Sequence, residues 1–321
     1  MHYYRHALRE TVHQAWEVLN QHPGLKWYGM ISSFFGLFWG LAHLGYQGVA
    51  FWNMYAAHTM EKSYLERMSA NLGLLKSFVF DHPDLIVGLI VLAVIVLAGH
   101  FVLNPILEGG LISLVGSILN GEKPRLIKGL PLGVLYIFPL MEFEFITAYF
   151  SVSVLLFELF WAVRNFGWGA FGFVMIPIAV LGLAGLVISF LFTYARFFIV
   201  LESKNVISAV IQSVKLVIFN LEQTVVLLLL TLLIVIRILL NVILVVVVPG
   251  IVIALIVGLS SSFLKTTGVV IGGALGLLLF LAVTYLSGIV HVFTTIAWTI
   301  LFKELTKKGL KGWIMERVAG E

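Results

Sequence analysis

Charged side chains stand inside apolar runs of this sequence, where a charge needs either a partner or a purpose. Arg237 sits in Val235-Ile236-Arg237-Ile238-Leu239, about 16 residues into its run, or roughly 24 Å along a helix. Glu142, Glu144 and Glu158 belong to an earlier run. An arginine and a carboxylate so placed can form an ion pair. The same arginine can also meet another subunit, hold a substrate anion or snorkel toward the outer interface. Glu142 and Glu144 are two positions apart, about 200° around a helix, which places them badly for a catalytic carboxylate dyad. One can face Arg237 while the other reaches water or a neighbouring subunit, and a proton relay is the remaining use.

His100 and His291 lie in two further apolar runs. Together they could ligate a metal or supply an axial imidazole to haem. The plainer alternative is a hydrogen bond to a neighbouring helix. Nothing else in the sequence completes such a site, so neither a cofactor nor a metal is expected. The chain has no cysteine, which removes disulfides, thiolate ligands and a thiol nucleophile. No phosphate-cradling loop, zinc-protease helix or serine elbow is present. These absences favour a non-enzymatic protein.

The elements that must hold these residues follow from composition. Hydrophobic residues make up 60% and charged ones only 11%, and mean hydropathy is +1.05. Several apolar runs exceed the roughly 20 residues that a helix needs to cross a bilayer, and they are continuous rather than alternating, unlike barrel strands. The expected fold is all-α: a polytopic transmembrane helical bundle of about six spans, with interfacial amphipathic helices, forming one integral membrane domain over 1–321. Expected spans are 27–51, 84–103, 132–162, 171–198, 221–248 and 268–301. Pro139 should kink the third, and Pro105 with Gly109-Gly110 should end the second and set off a short amphipathic helix to Leu119. The segment 251–259 is too short to cross alone; it either extends the fifth span or re-enters.

Surface helices precede several spans. Leu8, Val12, Trp16 and Leu19 share one face of the first, within 1–24, and Tyr64, Met68, Leu72, Leu75 and Val79 share a face of the second. A third, 206–220, carries Val206, Val210, Val214 and Val217 on one side. Tail 302–321 is basic. Glycines spaced three or four apart, Gly36 with Gly40, Gly182 with Gly185, and Gly268, Gly272 with Gly276, are suited to close helix approach. A formal charge of +4 is too small to suggest a nucleic-acid partner. Its placement is informative: Arg5, Arg9, Lys26, the loop Lys123-Pro124-Arg125, Lys128, Arg196, Lys204 and the tail lysines all fall on one side. The positive-inside rule puts that side, with both termini, in the cytoplasm. The expected setting is a prokaryotic cytoplasmic (inner) membrane, the first span acting as its own targeting signal.

Arg196-Phe197-Phe198-Ile199-Val200-Leu201-Glu202, followed by Ala209, Ser213 and Leu216, resembles a motif of a broad prokaryotic group of six-span membrane proteins. That group includes the membrane domain attached to some glycerophosphodiester phosphodiesterases. The resemblance covers about 25 residues plus the six-span layout, and it singles out Arg196 and Glu202. No segment here could form the soluble catalytic barrel of the phosphodiesterase members, so it implies no catalytic residue. The expected role is a scaffold or accessory subunit of a membrane complex. It would contact anionic lipid headgroups through its basic interfacial helices, and its protein partners would be other membrane subunits or further copies of itself. The alternative is a transporter or lipid-handling protein with a site near Arg237 and Glu142, Glu144 or Glu158.

Overall fold

A computed structural model describes residues 2–56, 73, 80, 83–150, 152–166, 171–234, 236 and 262–318. Every described element is a helix, so the chain is all-α. Three stretches are long and apolar enough to cross a membrane: Ile86–Leu119, Gly172–Leu201 and Gly276–Lys307. Two bent pairs, Leu126–Leu135 with Ile137–Ala148 and Val206–Phe219 with Leu221–Ile234, bring the described total to 5 if each is one span. The second amphipathic face expected around 55–80, the segment 251–259 and the later part of the fifth span lie outside the described residues.

The helices are α1 (His2–Gln21), α2 (Leu25–Ala56), α3 (Pro83–Ala98), α4 (Asn104–Leu119), α5 (Gly129–Leu135), α6 (Ile137–Ala148), α7 (Val152–Phe166), α8 (Phe171–Leu191), α9 (Ala195–Leu201), α10 (Val206–Phe219), α11 (Leu221–Ile234) and α12 (Ser262–Val318). They form two compact units. One comprises Met1–Phe34, Leu107–Val134 and Leu216–Glu321; the other comprises Phe35–Ile106 and Leu135–Lys215.

Several sequence expectations are corrected by the backbone. Pro105 does not end the second span. A π-helical segment, Gly99–Leu103, joins α3 to α4, and the Asn104 N–H bonds Gly99 O. The wider turn re-registers the ladder just where the proline ring removes a donor and crowds a carbonyl. The third span does bend near Pro139: α5 and α6 meet at 69°, with the break at Tyr136 and Pro139 in the first turn of α6, where its missing N–H has no intrahelical partner to lose. The same run breaks again between α6 and α7, near Tyr149 and Phe150. The last span and the tail are one helix, α12, because nothing from Phe302 onward stops it: lysines lower hydropathy without disfavouring helix.

In the first unit, α1 packs on α12. It buries Thr11, Ala15 and Leu19, one turn apart, and sets the Trp16 ring edge-on to Phe293 at 5.9 Å. The face expected to lie on the membrane is therefore turned by about one position, with Trp16 itself still exposed and Leu19 shared by both faces. α2 approaches α12 more closely, since a side chain on Gly29 would run into the Gly288 carbonyl. Among the described residues nothing lies within 4 Å of a side chain added at Gly36, Gly40 or Gly276, whereas one at Gly185 would meet the Phe150 carbonyl. The Lys303 ammonium donates to Gly116 O at 2.8 Å and to Asn120 Oδ1. It thereby satisfies a carbonyl at the C-terminus of α4, where a cation is favoured.

In the second unit, α7 packs against α8, burying Leu155, Ala162 and Val163. Gly185 of α8 lies against the Phe150 carbonyl.

Candidate functional site

Glu108 is the one charged side chain that is buried among the described residues. It sits on α4 in the first unit, one residue before Gly109-Gly110. Its Oε2 lies 2.8 Å from His291 Nε2 on α12, and the carboxylate side chain is only 8% exposed. The pair is close without being aligned: His291 Nε2 is buried and makes no hydrogen bond. The attraction is thus one of proximity between two ionisable groups in an apolar setting, where each would otherwise be costly. Thr295, one turn beyond His291, is buried too. Close packing fixes the surroundings, because a side chain at Gly110 would meet the Gly129 carbonyl and one at Gly129 would meet Leu114 and the Tyr28 ring.

The sequence singled out His291 and passed over Glu108. Read as part of a short surface helix, Glu108 had water to explain its charge. Once α3, the π segment and α4 are one apolar stretch, Ile86–Leu119, that explanation disappears.

His100 lies inside the π segment of the second unit. Its ring stacks on Trp39 at 5.5 Å and 14°, with Phe101 edge-on at 4.9 Å, and Nδ1 is buried with no hydrogen-bond partner. The described contact of His100 with α2 is thus a ring stack on Trp39. His100 and His291 belong to different units, each with its own neighbours. Among the described residues no group of three or more His, Cys, Asp or Glu side chains is placed to hold a metal.

Arg237 lies outside the described residues, and its ion pair with it. Glu142 and Glu158 are exposed, and Glu144 is half-buried with Phe143 buried between the two glutamates. Their separation around the helix matches the 200° reading.

The Arg196–Glu202 junction is built from backbone chemistry. Glu202 pairs with Lys204 at 3.3 Å in a partly exposed turn. Ser203 takes a left-handed φ of 52°, with its Oγ 3.3 Å from Tyr136 Oη. Asn205 Oδ1 accepts the Ser208 N–H at 2.8 Å, a side-chain cap that starts α10. Ala209 and Ser213, one turn apart, are fully buried. Ser213 Oγ accepts the Tyr194 N–H at 3.0 Å and donates to Leu191 O at 2.7 Å. One hydroxyl thus satisfies both ends of the turn between α8 and α9. Ser213→Ala should cost about 1–3 kcal/mol, because two backbone groups lose their partner in a buried place. Ser208→Ala, at a half-buried position of the same helix, is the control, and thermal unfolding in detergent reads the difference.

No protein-family model matches the chain, and no curated protein or solved structure matches it. Its chemistry is read from its own residues. Among the described residues, polar contacts that join separate elements include Glu108 with His291, Ser213 across the α8–α9 turn, and the partly buried Lys303 on the end of α4. Asn220, Thr224 and Thr299 instead bond carbonyls of the preceding turn.

Proposed function

We propose that this chain is a non-enzymatic integral membrane protein that serves as a scaffold or accessory subunit of a membrane complex. In this reading it resides in a prokaryotic cytoplasmic membrane with both termini inside, and its basic interfacial segments contact anionic lipid. The observation that carries the proposal is how Ser213 and Lys303 are used. The buried Ser213 hydroxyl and the partly buried Lys303 ammonium bond backbone groups of neighbouring elements, Lys303 also reaching Asn120 Oδ1, which stabilises a framework rather than preparing groups for a reacting molecule. The test is purification in mild detergent, followed by mass spectrometry of what is retained. A stoichiometric protein partner is the expected result; a monodisperse chain carrying only a solute would sink the proposal.

A second reading, a transporter or lipid-handling protein, is favoured by one specific feature. Glu108 and His291 lie in apolar stretches, and proton-linked carriers use such intramembrane pairs. Under this reading Glu108→Gln abolishes flux in proteoliposomes while the protein remains folded. Under the scaffold reading the same variant changes assembly or stability and no flux exists to lose.

A further inference from the structure

The segment between α4 and α6 carries an arrangement that packing among the described residues does not use. Its inner side is pinned. The Tyr28 hydroxyl donates to Leu126 O at 2.6 Å, Gly24 lies against the Leu126 side chain, and Gly129 and Gly133 are buried. Its outer side is exposed and of two kinds. Lys123, Arg125 and Lys128 are exposed, and their side chains make no ion pair with a described residue. Ile127 is 75% exposed and Val134 52%, with Leu130 also open. Cations gather at the start of the segment and large apolar side chains toward its end.

That order matches the polarity gradient from headgroup to acyl chain at a membrane surface. Water does not suit Ile127, Leu130 and Val134, and hydrocarbon does not suit the cations. The neighbouring part of α12 adds positive charge: Lys303 is anchored on Gly116 and Asn120 just before the loop. Glu122 and Glu304 are the acidic residues here, outnumbered by Lys123, Arg125, Lys128, Lys303 and Lys307.

We infer that residues 121–134 form a binding element for an anionic phospholipid. Lys123, Arg125 and Lys128 hold the headgroup phosphate, while Ile127, Leu130 and Val134 lie among the acyl chains. This deepens the proposed lipid contact by fixing its place and its chemistry, and it rests on that reading.

The test titrates the full chain in detergent with phosphatidylglycerol or phosphatidylcholine and follows the unfolding midpoint. Phosphatidylglycerol should stabilise more, and less so at high salt. Each basic residue near an anionic surface is worth about fivefold in binding, so the triple variant Lys123→Gln, Arg125→Gln, Lys128→Gln should need about a hundredfold more lipid. Arg125→Gln alone, at an exposed position, should need about fivefold more and serves if the triple variant folds poorly. Equal stabilisation by the two lipids, or an undiminished preference in Arg125→Gln, would overturn the inference. So would inorganic phosphate acting as well as phosphatidylglycerol, which would mark a plain anion site. A partner found or missing in the purification experiment leaves this result unaffected, so the two proposals fail separately.

Discussion

Changing His291 to leucine should destabilise the protein by about 3–5 kcal/mol, because the buried Glu108 carboxylate would lose the imidazole 2.8 Å away. The expected pattern across a double-mutant cycle is the sharper result. Glu108→Leu should be costly in the same direction, since it strands the imidazole instead. The double change Glu108→Leu, His291→Leu should recover most of the loss, as two well-packed apolar side chains replace two desolvated ionisable ones. Thermal unfolding in detergent gives the three values. Additive costs would mean that the 2.8 Å approach carries no coupling and that each group is held by something else.

The second large effect belongs to the contact between α2 and α12. A side chain on Gly288 would collide with backbone atoms of Met30 and Gly29, and one on Gly29 with the backbone of Gly288. Backbone cannot swing aside as a long side chain can, so the helices must separate. Gly29→Val and Gly288→Val should each cost about 1–3 kcal/mol. Their combination should cost less than the sum, because the first change already opens the shared contact. Gly36→Ala and Gly40→Ala have open space around them and should be neutral or stabilise by up to about 1 kcal/mol through helix propensity. If all four behaved alike, the tight approach at Gly29 and Gly288 would be wrong.

These positions also show what a sequence can and cannot convey. The helix before residue 221 and its end were legible: valines at helical spacing ended at Asn220, and α10 and α11 do bend by 98° there. The start of α10 was marked by Asn205, a residue that caps helices well. Small-residue spacing was legible as a capacity for close approach: it pointed to Gly185, which lies against Phe150, but also to Gly36 and Gly40, and it did not point to Gly29 and Gly288. Spacing describes one helix face; the partner is chosen by the rest of the fold. Pro105 misled for a related reason. A proline reports a missing donor, and whether the chain answers with a break, a kink or a π turn depends on neighbours distant in sequence. Glu108 was hidden behind that same error, and Ser213 was visible only as a small residue in a pattern, with its double hydrogen bond unforeseeable.

The pairing of Trp16 with Phe293 and of Gly29 with Gly288 joins the first helices of the chain to the last. During synthesis the N-terminal surfaces must wait for their mates, an interval on the order of 15–55 s at ordinary translation rates. The second unit, whose residues all precede Leu216, leaves the ribosome earlier and has that time to consolidate. Birth order and final neighbourhood therefore run in opposite senses, and a nascent chain halted before residue 280 would leave Ala15 and Leu19 uncovered.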